Sequence, residues 1–297
     1  MPSGSAPRDG AAGAEAGERL AKALSAVAEA LPYLRASTGQ PPDMLRPGEE
    51  VGEGKWFGCD QLLADPSWLG ATITATGRRL GAPGGAVAAS LFVQGYAYRA
   101  LTLGLSCFLL GGVLPGSRPE EMAMALSKGR PASVAYRAPR ALATGQWRPG
   151  HGGGPADFLG AFMDDAVEGH MRLLVSATLS CMRVGRRLLW GNIAASAAVA
   201  FRTMEGLLGA EVKPLGEKFF ALAPSELQGL GNFATLEHAG RGAWYWERRN
   251  CCLYDRLPGK VRCTDCSKTP PGERRAAYQM ALEKATLERV AAPADSR

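Results

Sequence analysis

The chain has 297 residues, 46% of them hydrophobic and 21% charged, enough for one large domain or two modest ones with an ordinary core. Its net charge of +6 comes with no recognisable reading module, so nucleic acid is not an expected partner. Seven cysteines with no secretory signal argue against a disulfide framework and fit a reducing compartment.

Residues 1–17 are rich in Gly, Ala, Pro and Ser and read as a disordered tail rather than a signal peptide. Leu20, Leu24, Val27, Leu31 and Leu34 form one apolar stripe, predicting a helix over Glu18–Ala36 with Pro32 as a kink or stop. A Pro- and Gly-rich connector follows, then a short helix from Cys59. Asp65-Pro66-Ser67 opens a helix that Gly81 and Pro83 close. Gly85–Leu110 is a long apolar helix. Its longest apolar run, Leu101–Leu114, is interrupted by Thr, Ser and Gly and is shorter than the roughly 18–20 residues of a membrane span. It reads as a core helix of a soluble protein.

Glu120–Ser127 reads as a short helix and Ala132–Tyr136 as the best strand candidate. The loop Gln146–Pro155, with its run of glycines, is the clearest internal boundary; His151 within it reads as solvated. Two long helices follow, Ala156–Arg183 and Arg186–Leu208. The small residues Ala194–Ala198 predict that these two pack as an antiparallel pair. For Asn192 two readings stay open: satisfied by backbone or water, or placed with Trp190 at a substrate cleft or behind a metal centre. Leu215–Leu230 reads as two short pieces, and Glu273–Val290 as the last helix. The predicted fold class is therefore mainly α with a small β component (α+β), divided into an N-terminal mostly helical half (18–145), a second helical half (156–245), and a C-terminal segment with a terminal helix (246–290).

That last segment holds the chemistry. Cys251, Cys252, Cys263 and Cys266 have the spacing C-C-x10-C-x2-C. Two pairs brought together by the turn Leu257-Pro258-Gly259-Lys260 supply four-sulfur coordination. An adjacent pair fits a tetrahedral zinc knuckle poorly, because neighbouring side chains in extended backbone point apart. A two-iron cluster is the favoured ligand, with zinc and a redox disulfide as alternatives. Cys107 and Cys181 read as structural thiols, and Cys59, far from the motif, is not expected to bind the centre. Ala243-Trp244-Tyr245-Trp246 just upstream reads as apolar shielding of the centre.

The segment resembles the C-terminus of the FhuF-type ferric siderophore reductases. Arg248-Arg249-Asn250-Cys251-Cys252-Leu253-Tyr254 is similar to the family's lead-in, and Leu188-Leu189-Trp190-Gly191-Asn192-Ile193-Ala194 to a recurrent upstream segment. The resemblance spans roughly residues 155–290. It implies a [2Fe–2S] cluster held by Cys251, Cys252, Cys263 and Cys266, reducing siderophore-bound iron in the cytoplasm, with hydroxamate siderophores favoured. Residues 156–245 would then be the substrate half.

No G-x-x-x-x-G-K-[ST] loop and no G-x-G-x-x-G after a strand is present, so electrons are expected singly from a donor protein such as a ferredoxin. Between Arg241 and Arg275 nine cations face four anions, nearly the whole charge surplus. Such a segment favours the more negative reduced cluster and an acidic donor. A zinc-binding, partner-docking module without redox activity is the alternative function.

Overall fold

The computed structural model of the protein describes residues 8–145, 147, 158–238 and 241–291. With 56% helix and 17% strand it is an α+β fold in which helices enclose most of the core. The axis is α4, Gly85–Gly111. Its sequence is apolar on every face, and such a helix is stable only when enclosed on all sides. Helix α1, Arg8–Ala30, covers one side, at a crossing so close that a Cβ on Gly111 would collide with Ala23. Residues 8–17 thus belong to a helix rather than a tail, as their alanine content allows. The helix stops at Ala30, just before Pro32.

Helix α2 spans Cys59–Ala64 and α3 spans Pro66–Leu80. The Asp65 side chain caps α3 by accepting from the backbone N–H groups of Ser67 and Trp68. Gly81 closes it in the left-handed conformation. Helix α3 lies on a second side of α4, and α7, Arg186–Leu208, on a third. The expected pairing of α7 with the preceding helix is corrected here, because α4 is its main partner. The buried face Ala194, Ala195, Ala197 and Ala198 lets the backbones approach. Hydrogen bonds then cross between them, from Asn192 to the Ser90 carbonyl and from Ser196 to the Gln94 carbonyl.

The predicted helix Ala156–Arg183 is α5, Phe158–Phe162, a π-helical stretch, Met163–Met171, and α6, Arg172–Cys181. Two buried polar side chains lie in the widened part. Asp165 accepts from the Ser117 N–H and from Arg118 and Arg140. His170 bridges the Ser117 carbonyl and the Tyr96 hydroxyl. The glycine loop at 146–155, with His151, lies outside the described residues apart from Trp147.

The main sheet has the order β1-β5-β4-β2: Arg35–Thr38, Arg130–Tyr136, Met122–Ser127 and Trp56–Gly58. Strands β1 and β5 are parallel and the other pairs antiparallel. The helix expected over Glu120–Ser127 is therefore corrected to a strand, β4. Met122–Leu126 is buried on both faces and shows no alternation, and pairing on both edges overrides the helix propensity of Met, Ala and Leu. Strands β3, Val113–Pro115, and β6, Ala141–Thr144, make a small ribbon.

Leu215–Leu230 is α8, Val212–Leu222, followed by a turn. The hairpin β7, Gly231–His238, and β8, Arg241–Arg248, was not expected from the sequence. Trp244 and Trp246 pack against Phe233, and Trp246 stacks on Phe220 of α8. On the opposite face Tyr245 stacks on Tyr278 of α9, Pro271–Ala291. The hairpin is thus wedged between α8 and α9, and its end delivers the chain into the cysteine segment.

Candidate metal centre

The cysteine segment begins where β8 ends and is tied to α7. Asn250 donates to the Leu188 carbonyl at 3.4 Å. A Cβ on Gly191 would occupy the place of the Asn250 side chain. Asn192 donates to both the carbonyl and the hydroxyl of Ser90, each at 2.8 Å, and accepts from Arg248 at 2.8 Å. The Ser90 hydroxyl donates in turn to the Cys252 carbonyl at 2.7 Å. The Asn192 amide is therefore satisfied, by Ser90 and Arg248, and it ties α4 to the strand that leads into the cysteine segment. Trp190 is buried beneath Arg172, whose guanidinium lies 5.5 Å from its ring centre.

The local turn required by an adjacent cysteine pair comes directly after it. Leu253 takes the left-handed conformation, φ 63° and ψ 12°, which is unfavourable for a side chain by about 1–2 kcal/mol. Its side chain is buried with Val87, Leu91 and Leu257, a gain of about 1.5–3 kcal/mol that offsets the strain. The turn directs the Leu253 N–H to the Cys251 sulfur at 3.3 Å. Asp255, paired with Lys268 at 2.7 Å, lies 3.7 Å from the same sulfur. A second turn brings the Cys266 N–H to the Cys263 carbonyl at 3.0 Å.

The neighbouring Cys263 thiol, with Arg248 nearby, lowers the Cys252 thiol against the effect of its burial. The same neighbour pair and burial push Cys263 up, and burial raises Cys251. Every described cysteine is a free thiol. Among the described residues, no three His, Cys, Asp or Glu side chains stand together at coordinating separation. The structure thus places Cys252 and Cys263 as neighbours on one cavity, with Cys251 and Cys266 on the same folded loop. Cys59 and Cys107 are buried with thiols raised to about 12 by burial, and Cys181 is raised by burial as well.

A cavity of about 360 Å³ is lined in part by Cys252 and Cys263. One wall is α4, through Leu91, Gln94 and Tyr98; the other is α7, through Ala195, Ser196 and Val199. Arg248 and Asp265 line it beside the cysteines. Arg130 also lines it, its guanidinium 5.6 Å from the centre of the Tyr254 ring. Neither Trp244 nor Trp246 lines this cavity, so these rings brace the hairpin behind it. Sequence reasoning missed Tyr98, Arg130 and Tyr254 here, since only the long-range packing of α4, β5 and the cysteine loop makes them neighbours.

Residues 90–239 match the family described as ferric iron reductase FhuF-like transporter. Residues 248–267 match the FhuF 2Fe-2S C-terminal domain. The chain belongs to the FhuF-like ferric iron reductase family. No curated protein matches it. The FhuF match begins earlier than the expected 155, at residue 90, and so takes in α4 from Ser90, the residue that holds the Cys252 carbonyl. The cofactor is a [2Fe–2S] cluster rather than zinc. The residues present fit it: four free thiols on one loop, a backbone N–H already aimed at a sulfur, and a buried arginine beside them. Among the described residues no helix is long and apolar enough to cross a membrane.

Proposed function

We propose that the chain is a cytoplasmic ferric-siderophore reductase whose cluster is held by Cys251, Cys252, Cys263 and Cys266. The observation that carries this reading is the cavity between α4 and α7, which Cys252 and Cys263 both line. It offers a bound chelate a mainly apolar wall with polar groups from Gln94, Tyr98, Ser196 and Tyr254, and no surplus of cations to hold an anion, since Arg130 and Arg248 stand against Asp265 and the anionic cluster. An electroneutral hydroxamate chelate suits such a wall better than a highly anionic one.

The cluster, when bound, supplies one electron at a time. The chelate takes up that electron, Fe(III) becomes Fe(II), and no covalent bond of the siderophore breaks. Hard oxygen donors hold Fe(II) far more weakly, so the metal leaves and the ligand survives. The electron is replaced by an acidic one-electron donor protein of the ferredoxin kind, for which the exposed Arg249, Arg256, Lys260 and Arg262 offer a docking face. Tyr98, Leu91 and Val199 exclude water from the buried side of the chelate, while Arg130, fixed over Tyr254, borders it.

The purified protein should be red-brown, with about two iron atoms per chain as a [2Fe–2S] centre requires. Replacing any one of the four cysteines by Ser should bleach or distort the visible spectrum, and Cys59→Ser, Cys107→Ser and Cys181→Ser should not. Pre-reduced protein mixed anaerobically with a ferric hydroxamate should deliver Fe(II) to a ferrous chelator. A loaded, reduced protein that transfers nothing to any ferric chelate would overturn the reductase reading. Bleaching by Cys107→Ser but not by Cys252→Ser would overturn the ligand set.

A further inference from the structure

Arg248 is a buried cation short of counter-charge. It is 3% exposed, and Asp265 approaches its Nη1 only to 4.0 Å, the outer limit of an ion pair. Nη2 donates to the neutral amide of Asn192, and among the described residues Nε has no partner. Arg274, 8% exposed, adds a second buried guanidinium by donating to the Arg248 carbonyl at 3.2 Å, and its Nε also has no partner among the described residues. Burying ionised groups this way is strongly unfavourable unless an opposite charge shares the site.

The missing charge has an evident source. Arg248 lines the same cavity as Cys252 and Cys263. Four thiolates around a two-iron core make a dianion that becomes a trianion on reduction. The hydrogen bonds behind it run in one direction: Arg248 donates to Asn192, Asn192 to Ser90, and Ser90 to the Cys252 carbonyl. This chain fixes the guanidinium relative to the Cys252 backbone, and each bond polarises the next.

We infer that Arg248, oriented by Asn192 and Ser90, is the buried counter-cation of the cluster, favouring its assembly and holding its reduction potential up. The inference rests on the ligand assignment proposed above. It makes Arg248 and Asn192 positioning residues, acting on the cluster rather than on the chelate.

The test is a dye-mediated potential titration of anaerobically reconstituted wild type, Arg248→Met, Arg248→Lys and Asn192→Ala, at low and high salt. Arg248→Met should shift the reduced-to-oxidised ratio at least tenfold toward the oxidised form, about 59 mV for a one-electron couple. The shift should persist at high salt, because a buried charge is little screened. Arg248→Lys should restore most of the potential, and Asn192→Ala should fall between. If Arg248→Met does not fold, Asn192→Asp sets a carboxylate against the same guanidinium and should lower the potential likewise. A folded, loaded Arg248→Met with wild-type potential overturns the inference, as does an equal shift in Arg248→Lys. A Met variant that stays empty while the Lys variant loads supports it; if both stay empty, shape rather than charge is decisive and the inference falls. If the wild type itself takes up no cluster, the ligand assignment fails first.

Discussion

Gly191 shows how one missing methyl shapes the centre. Adding a Cβ there displaces the Asn250 side chain from its place against α7. Gly191→Ala should destabilise the protein by about 1–3 kcal/mol, the usual cost of overpacking, and lower the iron content. Adding Asn250→Ala should recover most of the unfolding free energy, a coupling readable in a denaturant double-mutant cycle. His170 offers a second test at this scale. Burial lowers its pKa to about 4 from an ordinary value of 6.5. The Ser117 carbonyl can only accept, so Nδ1 carries the proton and Nε2 accepts from Tyr96. The unfolded chain binds a proton between those values that the folded chain refuses, so this contribution is complete above pH ~6.5 and is lost as pH falls toward 4. The shift corresponds to at most about 3 kcal/mol. Asp165 faces the ring and favours its cation, but burial outweighs it. Glu205, raised to about 7 mainly by burial, works in the opposite direction between pH ~4.5 and 7. The readable quantity is therefore the difference in unfolding free energy between wild type and His170→Asn. That difference should shrink as pH drops from 7 to 4; a constant one would mean that His170 does not titrate in this window. The candidate cysteines were legible because their spacing is local. The roles of Ser90 and Arg248 were not, since 162 residues separate Ser90 from Cys252.

At the scale of elements, periodicity worked where one element faces one environment. Helices α3, α4, α7 and α9 fall close to the expected bounds because their stripes, caps and stop residues are all local. It failed where partners decide. Strand β4 carries helix-forming residues and becomes a strand only because β2 and β5 pair with both of its edges. The hairpin β7–β8 was obscured by the run Trp244-Tyr245-Trp246, which looks uniformly apolar although its rings alternate between α8 and α9. The hairpin's position gives a prediction. Trp246 is buried against Phe220 and Phe233, so Trp246→Ala should cost about 3–5 kcal/mol. Because β8 leads directly into Arg248 and Cys251, the variant should also hold its cluster less tightly, seen as faster bleaching with a chelator at a temperature where it remains folded. Wild-type bleaching kinetics in a folded variant would uncouple the hairpin from the centre.

For the whole molecule, the two populations of cation near the cysteines should act differently. Arg248 is buried, whereas Arg249, Arg256, Lys260 and Arg262 are exposed, and Val261 among them is 82% exposed. Water and salt screen exposed cations within a Debye length of about 8–10 Å. Their influence on the potential should therefore be small and should fade as salt is added. What survives at long range and low salt is steering, which raises the encounter rate with a partner of opposite sign. Arg249→Glu and Arg262→Glu should accordingly slow reduction by an acidic ferredoxin-like donor, several-fold at low ionic strength and little at ~0.5 M salt. Reduction by dithionite, a small reductant with no docking face, should change far less. If the exposed apolar Val261 meets the donor, the uncharged change Val261→Ser should slow the donor to a similar extent at both ionic strengths. Stopped-flow reduction of the oxidised protein by the two reductants separates these effects. Donor kinetics unchanged in all three variants would leave the segment a solvated face and place electron entry elsewhere on the molecule.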